Sequence, residues 1–376
     1  MQEAPTQETV VEEPHNSVAV HTNTLPKAFT LIRESIAYYK QHFATLIGLA
    51  GIYTGVSYGV AFLMVAVVGI GGVSLLLFGG ELGTPGSLIA LVGGVILLLL
   101  LLVAGVWFIT WALIALMRSM LSKDSVLSVH ESFTQAKPLV WPFLVTSFWS
   151  GLASLGVIAL TILLLGILIA PLVLLGNTTL LIIGMVIGLI VLVASIIVAN
   201  TWFIFAQWLV VDGKAEGREA TARSKELSKG IFSTVLGRYL VISIAYAIPV
   251  IVVSLLCEVA IPIVGPYLSQ AIGILVFLPI LLIVMARFYQ SLSDVQGKNL
   301  DTTKKGAREI TVLSVVGLVS LIVFVFATVF VLMAAGPEIF SAIEEEYRNG
   351  ARGPENGAHM MPEPTTETPD VLEVTE

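Results

Sequence analysis

Few side chains in this sequence can do chemistry within its apolar stretches, and three polar ones are the first candidates. Charged residues make up 12% of the 376 residues, whereas hydrophobic residues make up 56%. Glu258 follows a long apolar run. A carboxyl group at this place either contacts an ion or substrate, or lies at the membrane interface where water reaches it. Asn200 and Gln207 lie seven residues apart on one helical face, which predicts either hydrogen bonds between helices or a polar path.

The sequence shows no recognisable set of catalytic or metal-ligating residues. None of the histidines forms a pair with metal-ligand spacing on an apolar helix; they are His15, His21, His42, His130 and His359. Cys257 is the only cysteine, which excludes an intrachain disulfide and a cysteine-based metal cluster. We therefore expect no enzyme activity, no cofactor and no metal.

A second group of candidates is cationic and lies in residues 217–232, GREATARSKELSKGIF. Contact with lipid headgroups or with a protein partner is one interpretation for Arg218, Arg223, Lys225 and Lys229. A thin stripe of Ala220, Ser224, Leu227 and Ile231 predicts an amphipathic helix with this face against lipid. The other interpretation is a solvated face that only sets topology, because residues 212–229 contain five bases against four acids.

These residues must be positioned by a membrane bundle. Mean hydropathy is +0.95, and a span needs roughly 20 apolar residues. Uncharged runs cover 41–80, 82–117, 138–211, 239–257, 259–286 and 310–337. The run 138–211 holds two spans, split near Pro171 and Asn177, so seven transmembrane helices are expected.

The first apolar run, 41–80, is too long for one upright span. As a single helix it would measure about 60 Å, against ~30 Å of hydrocarbon. It therefore either tilts as one helix or breaks near Gly69, Gly71 and Gly72 into a helix and a re-entrant segment. Two stripes of small residues also predict close helix packing: Gly51, Gly55 and Gly59 in the first span, and Gly184 and Gly188 in the fourth.

Positive charge predicts the orientation. Seventeen of the nineteen Lys and Arg residues precede the first span or fall in the second, fourth and sixth loops, and the other two, Arg348 and Arg352, follow the seventh span. Because Lys and Arg favour the cytoplasmic side, we expect a multi-pass protein of the cell membrane with its N-terminus cytoplasmic and its C-terminus exterior.

An amphipathic helix is expected before each of three hairpins. Apolar stripes run through Phe29, Ile32, Ile36, Tyr39 and Phe43, and through Val126, Val129, Phe133, Ala136, Val140 and Phe143, where Pro138 kinks or ends the helix. The third helix is the segment 217–232. The predicted fold is an all-α polytopic bundle of about seven transmembrane helices in three pseudo-repeated hairpins, each preceded by a cytoplasmic amphipathic helix.

Two acidic tails flank this helical domain, which is predicted over residues 25–336. Residues 1–24 and 337–376 are rich in Glu, Pro and Thr, a composition that favours disorder. A short helix is expected at 337–349, since Pro337 suits a first helical turn.

Three segments resemble a known group of proteins. The run "DGKAEGREATARSKELSKGIF" (212–232) is similar to the segment between hairpins in the glycerophosphodiester phosphodiesterase membrane-domain-like and YciC-like families of prokaryotic multi-span proteins. The stretch "LPKAFTLIRESIAYYKQHFATLIGL" resembles their N-terminal surface helix. Pro279 with "ARFYQSLSDVQG" (286–297) resembles the end of their sixth span, where the family pattern reads closer to "LYYDLR". The resemblance implies a prokaryotic membrane protein and brings no catalytic residues, because the phosphodiesterase chemistry belongs to a separate soluble barrel.

Three functions are compatible with these features. The first is a membrane-organising or accessory protein whose surface helices contact lipid headgroups or a partner at the cytoplasmic face. The alternative is a transporter or lipid-handling permease with a polar path between the hairpins near Asn200, Gln207 and Glu258. An intramembrane enzyme is the third. The lipid bilayer is the expected partner, no nucleic acid is expected, and oligomeric state stays open.

Overall fold

The computed structural model describes residues 25–78, 85–122, 127–174, 176–296 and 304–351, and every regular element in these ranges is helical. In chain order they are α1 (Ala28–Gln41), α2 (Phe43–Phe78), α3 (Pro85–Leu121), α4 (Val129–Ala136), α5 (Val140–Leu174), α6 (Thr178–Phe203), α7 (Ala206–Val211), α8 (Gly217–Leu227), α9 (Phe232–Ala260), α10 (Gly265–Ile272), α11 (Leu278–Gln296) and α12 (Lys304–Ala351). A 3₁₀ turn, Lys137–Leu139, leads into α5, and a π-helical turn, Gly273–Phe277, leads into α11.

Seven helical segments in the described ranges are long and apolar enough to cross a membrane. They are Phe43–Gly69, Val92–Leu121, Val129–Leu172, Thr178–Val211, Phe232–Ala260, Gly265–Gln296 and Gly306–Phe330. The all-helical class and the seven predicted spans are therefore confirmed, and the chain is an integral membrane protein.

The first apolar run forms one helix, α2, of 36 residues. At 1.5 Å per residue it is about 54 Å long. It passes through Gly69, Gly71 and Gly72 without a break, so the re-entrant alternative is not observed. A glycine in a helix costs only about 1 kcal/mol relative to alanine, whereas backbone groups left unpaired in lipid cost several kcal/mol each.

A short helix precedes each of three sets of spans. These are α1 before α2 and α3, α4 before α5 and α6, and α8 before α9 and α11. The start of α4 is fixed by a capping box, in which Ser128 and Glu131 bond each other's backbone N–H. Its end falls at Ala136 as expected from Pro138, which lies in the 3₁₀ turn. That these three units are repeats of one another stays a prediction.

The side chains that α1 buries match the predicted stripe only in part. Phe29 is 73% exposed, and Phe43, just beyond the helix, is also exposed, whereas Leu31, Ser35 and Tyr39 are buried. These buried residues recur every four positions and face α9 and α11, which contact α1. Of the predicted stripe, Tyr39 is therefore buried whereas Phe29, Ile36 and Phe43 are exposed, so the face that packs against protein is rotated from the predicted one.

The predicted stripe of α8 is buried, but against protein rather than lipid. Ala220, Ser224 and Leu227 have no exposed surface, and α8 contacts α5, α6 and α7. The expected position of this helix, with its apolar face in the headgroup region, is therefore wrong. Small side chains on this face let the neighbouring helices approach closely, which excludes lipid from it.

The two predicted stripes of small residues differ in how closely other helices pack against them. Gly51, Gly55 and Gly59 have no atom within 4 Å of the place where a Cβ would stand, so no described helix of this chain packs closely against this stripe. A Cβ on Gly184 or Gly188 would meet side chains of α5, Leu172 at 2.8 Å and Ile169 at 3.4 Å respectively. The prediction therefore holds for α6, which pairs with α5.

The buried core lies at one end of the spans. It joins α1, α4, α7 and α8 to the C-terminal end of α3, the N-terminal end of α9 and the C-terminal half of α11. We call this region the basic layer, because the Lys- and Arg-rich segments between the spans belong to it. The spans beyond it bury far fewer side chains; α6, for example, buries Gly188, Ala199, Thr201 and Phe203.

The chain divides into two compact units, Met1–Leu318 and Val319–Glu376. The first unit contains α1 to α11 and the start of α12. In the second unit, residues 319–351 are helical and belong to α12. The separate helix predicted at 337–349 is part of this longer helix, because a proline in a helix interior removes one hydrogen bond without necessarily ending the helix. The predicted N-terminal tail, 1–24, and residues 352–376 of the predicted C-terminal region, 337–376, lie outside the described residues.

Candidate functional site

The turn after α7 organises the basic layer. Gly213 has φ +71°, a left-handed conformation that favours glycine. The preceding carboxylate, Asp212 Oδ2, accepts a hydrogen bond from the hydroxyl of Tyr289 at 2.8 Å and pairs with Lys214 Nζ at 2.8 Å. Tyr289 is fully buried in α11. The turn thus joins two of the segments that carry the family resemblance, 212–232 and 286–297.

Further contacts close the same end of the bundle. Arg118 at the end of α3 donates to the carbonyl of Val211 at 2.7 Å. Gln290 of α11 donates to the carbonyl of Leu121 at 2.9 Å, and Lys214 donates to Ser293 Oγ at 3.0 Å. These hydrogen bonds therefore connect α3, α7 and α11 at this end of the bundle.

Helix α1 is held to this layer by arginines. Arg238 of α9 donates to the carbonyl of Leu25 at 2.6 Å. Arg287 of α11 pairs with Glu34 at 3.6 Å and lies 5.1 Å from the ring centroid of Tyr38. Burial raises the pKa of Tyr38, an effect that Arg287 opposes, and burial also raises the pKa of Tyr39. Both tyrosines are thus neutral at physiological pH.

Arg223, one of the predicted headgroup contacts, holds the loop before α8. It pairs with Glu219 at 2.7 Å and donates to the carbonyl of Lys214 at 2.9 Å. Its side chain is 23% exposed. This geometry gives Arg223 an internal structural role.

The other three predicted cations lie closer to the boundary with the spans. Arg218 donates to Thr311 at 3.2 Å and its guanidinium is 5.5 Å from the ring centroid of Trp149. Lys225 pairs with Glu309 at 3.0 Å and lies 5.0 Å from the Trp202 ring centroid. Lys229, whose side chain is 74% exposed, pairs with Glu226 at 3.1 Å.

Lys225 and Lys229 line a groove between the α8–α9 turn and the start of α12, which we call the basic groove. One cavity of about 440 Å³ is lined by Trp202, Lys225, Glu226, Ser228, Lys229, Gly230, Phe232, Gly306 and Glu309. An adjoining cavity of about 530 Å³ shares Trp202, Lys225 and Glu309 and adds Arg308, Val312 and Leu313. The groove therefore begins among charged side chains and continues over apolar ones.

The groove combines two kinds of surface. Lys225, Lys229 and Arg308 offer ammonium and guanidinium groups, which donate strong hydrogen bonds to phosphate oxygens. Arg308 is exposed and makes no ion pair with another described residue. Val312, 57% exposed, extends the lining toward the apolar span. The charged part of the groove suits the anionic head of an amphiphile, and the apolar part suits its tail.

The polar candidates of the spans do not come together. Gln207 of α7 donates to Ser147 of α5 at 3.3 Å, a hydrogen bond between helices. Asn200 of α6 is exposed, and a turn at Ile204 and Phe205 separates α6 from α7. Glu258 is exposed near the far end of α9 and accepts a hydrogen bond from Ser254 at 3.2 Å. Within the described ranges no group of three or more His, Cys, Asp or Glu residues is placed to hold a metal ion.

Sequence reasoning missed two residues of the basic groove, Trp202 and Arg308. Trp202 lies near the end of a span, where tryptophan is enriched at membrane interfaces, and that signal was available. Arg308 was counted as one of the loop cations, but nothing in the sequence connects it to Lys225, 83 positions earlier.

Comparison with protein-family models, with curated proteins and with solved structures finds no match to this chain. The resemblance to the membrane-domain-like and YciC-like families stays a prediction.

Proposed function

We propose that this integral membrane protein is a membrane-organising or accessory protein that binds an anionic phospholipid of the cytoplasmic leaflet in the basic groove. The observation that supports the proposal is the juxtaposition of Lys225, Lys229 and Arg308 with the side chain of Trp202 and an apolar wall. A phosphodiester head occupies the charged part, and an acyl chain follows Val312 and Leu313.

Electrostatics favours an anionic head over a zwitterionic one. Three cations and two acids, Glu226 and Glu309, line the groove, so its formal charge is positive. Each Lys or Arg near an anionic leaflet contributes about 1 kcal/mol of attraction. The distribution of Lys and Arg along the sequence favours the cytoplasmic side for the groove.

A direct test compares two triple variants of the full-length protein purified in dodecyl maltoside. Lys225→Gln, Lys229→Gln and Arg308→Gln together remove the cations of the groove. Lys27→Gln, Lys40→Gln and Lys137→Gln remove the same charge from exposed positions outside it. Binding of one dioleoylphosphatidylglycerol is measured by native mass spectrometry, with phosphatidylcholine as the neutral reference.

We expect the groove variant to bind phosphatidylglycerol at least about tenfold more weakly, since this corresponds to about 1.4 kcal/mol, and the control variant to change less than about twofold. Equal losses in the two variants would mean that lipid binding follows total charge rather than the groove. Unchanged binding in the groove variant would overturn the proposal outright.

The transporter or permease alternative, with a path near Asn200, Gln207 and Glu258, stays a prediction, because the described residues do not bring these three side chains into one cavity. A protein partner at the same face also stays a prediction.

A further inference from the structure

A second cavity lies away from the basic layer, further along α9. It has a volume of about 480 Å³ and is bordered by α2, α9, α10, the π-helical turn and the start of α11. Its lining consists of Tyr53, Tyr246, Val250, Ser254, Ser269, Gln270, Gly273, Ile274 and Leu278. Two phenol rings, two hydroxyls and an amide therefore surround a space between otherwise apolar helices.

A short chain of polar groups links this cavity to a carboxylate. Ser254 Oγ lies 3.2 Å from Glu258 Oε1 and 3.5 Å from Ser269 Oγ. Both serines line the cavity. Glu258 is one helical turn beyond Ser254 on α9, so its carboxylate lies beside the cavity.

The negative charge of Glu258 is not balanced nearby in the sequence. It is the only charged residue between Arg238 and Arg287, and α2 contains none. The helices around the cavity therefore contribute no cationic side chain to its lining. An anion would meet no attractive charge here, whereas a cation would.

The backbone around the cavity is irregular at two places. Pro249 lies inside α9 and has no N–H to donate to the carbonyl four residues earlier. In the π-helical turn the N–H of Leu278 bonds the carbonyl of Gly273, five residues back. Single π-helical turns inside α-helices are frequent at functional sites, and irregular backbone at membrane depth is tolerated where it lines a cavity or is buried in protein.

Close packing at the α9–α10 turn brings the two serines together. A Cβ on Gly265 would collide with the carbonyl of Cys257 and with the backbone of Glu258. Glycine thus lets α10 start directly against the end of α9. Ser269, one turn into α10, is thereby placed opposite Ser254.

We propose that this cavity binds an organic cation with an apolar body, such as an alkyl- or arylammonium compound. Tyr53 and Tyr246 bring aromatic rings to the lining, and the face of such a ring attracts a cation; the Glu258 carboxylate, which accepts a hydrogen bond from the lining residue Ser254, attracts it by its charge. Tyr246 is held at the wall by a perpendicular contact with Phe277, with ring centroids 6.5 Å apart. This site lies apart from the basic groove. It binds a cation, whereas the groove binds an anionic lipid, so the inference goes beyond the proposed lipid binding.

The test uses the full-length protein in dodecyl maltoside and two probes of the same shape. Phenyltrimethylammonium carries the positive charge, and tert-butylbenzene is its neutral counterpart. Equilibrium dialysis gives the dissociation constant of each for the wild type, Glu258→Gln, Tyr246→Leu and Tyr246→Phe. Glu216→Gln and Tyr267→Leu serve as matched controls, because both residues are exposed and do not line the cavity.

We expect saturable binding of the cation, weakened about tenfold by Glu258→Gln and about fivefold by Tyr246→Leu, in line with a cation–π contribution of about 1 kcal/mol. Tyr246→Phe keeps the ring and should change affinity less than about twofold, as should both controls. The triple variant of the basic groove should bind the cation normally, which separates this site from the lipid site.

Two results would overturn the inference. One is absence of saturable phenyltrimethylammonium binding to the wild type. The other is equal affinity for the two probes together with no effect of Glu258→Gln, which would identify an apolar crevice that acyl chains fill.

Discussion

At the scale of single residues, the contact between Tyr289 and Asp212 stands out because a fully buried hydroxyl requires a partner. A buried polar group without a hydrogen bond costs about 1–3 kcal/mol. Asp212 supplies this partner and also pairs with Lys214 in the same turn. The left-handed Gly213 lets the chain reverse immediately after Asp212. One carboxylate thus fixes both the loop before α8 and the end of α11.

Replacing Tyr289 by phenylalanine tests this contact. The variant loses a hydrogen bond to a carboxylate but keeps the ring, so the free energy of unfolding should fall by about 1–3 kcal/mol. Tyr267→Phe is the control, because Tyr267 is 67% exposed and should change stability by less than about 0.5 kcal/mol. Unfolding in SDS titrations of the purified protein provides the measurement. An unchanged midpoint for Tyr289→Phe would show that the Asp212 turn does not depend on this bond.

At the scale of helices, a close crossing joins α5 to the start of α12. A Cβ on Gly156 would collide with the carbonyl of Leu313, and a Cβ on Gly317 would collide with the carbonyl of Leu152. Two glycines therefore face each other where the backbones meet. In lipid, helices associate through close van der Waals packing rather than through the hydrophobic effect, so such a crossing is a main contact of α12 within the first unit.

Adding one methyl group at this crossing should be costly. Gly156→Ala forces the backbones of α5 and α12 apart, and overpacking of this kind typically costs about 1–3 kcal/mol. Gly151→Ala on the same helix is the matched control, because nothing lies within 4 Å of its Cβ position; it should leave stability unchanged or raise it by up to about 1 kcal/mol. Thermal denaturation in detergent compares the two. A Gly156→Ala variant as stable as Gly151→Ala would contradict the crossing.

At the scale of the whole molecule, polar contacts and burial are concentrated in the basic layer, whereas the spans expose large apolar side chains such as Phe62, Leu168 and Leu256. This division follows from the solvent. Lipid is as apolar as the side chains of the spans, so burial gains most near water, where the short helices and loops lie. The basic layer therefore joins the short helices and loops to the ends of the spans through buried side chains and hydrogen bonds.

Labelling of introduced cysteines tests the orientation of the bundle. In a Cys257→Ser background, Lys229→Cys should react with a membrane-impermeant maleimide only after cells are opened. Ile263→Cys, at a side chain that is 86% exposed between α9 and α10, should react in intact cells, because the excess of Lys and Arg in the basic layer favours the cytoplasmic side for that layer. The opposite pattern would invert the bundle and place the basic groove in the outer leaflet.

The sequence by itself determined the class of protein, the seven spans, the end of α4 and the position of the cationic segments. These features are local, because the length of an apolar run and the presence of a proline act on the residues around them. The spacing of Ala220, Ser224 and Leu227 likewise indicated that they share one face of α8, although lipid was the expected contact of this face and protein is the observed one.

Only the tertiary structure decided what each face contacts. The sides of these spans are nearly all apolar, so the periodicity of the sequence does not distinguish a lipid-facing side from a protein-facing one. The stripe of Gly51, Gly55 and Gly59 was expected to pack against another helix, but it is open. Gly156 and Gly317, in contrast, lie at a close helix crossing. The basic groove and the contact of Tyr289 with Asp212 likewise join residues that are distant in sequence. Their proximity depends on how the helices cross, and that is set by the summed packing of all of them rather than by any local pattern.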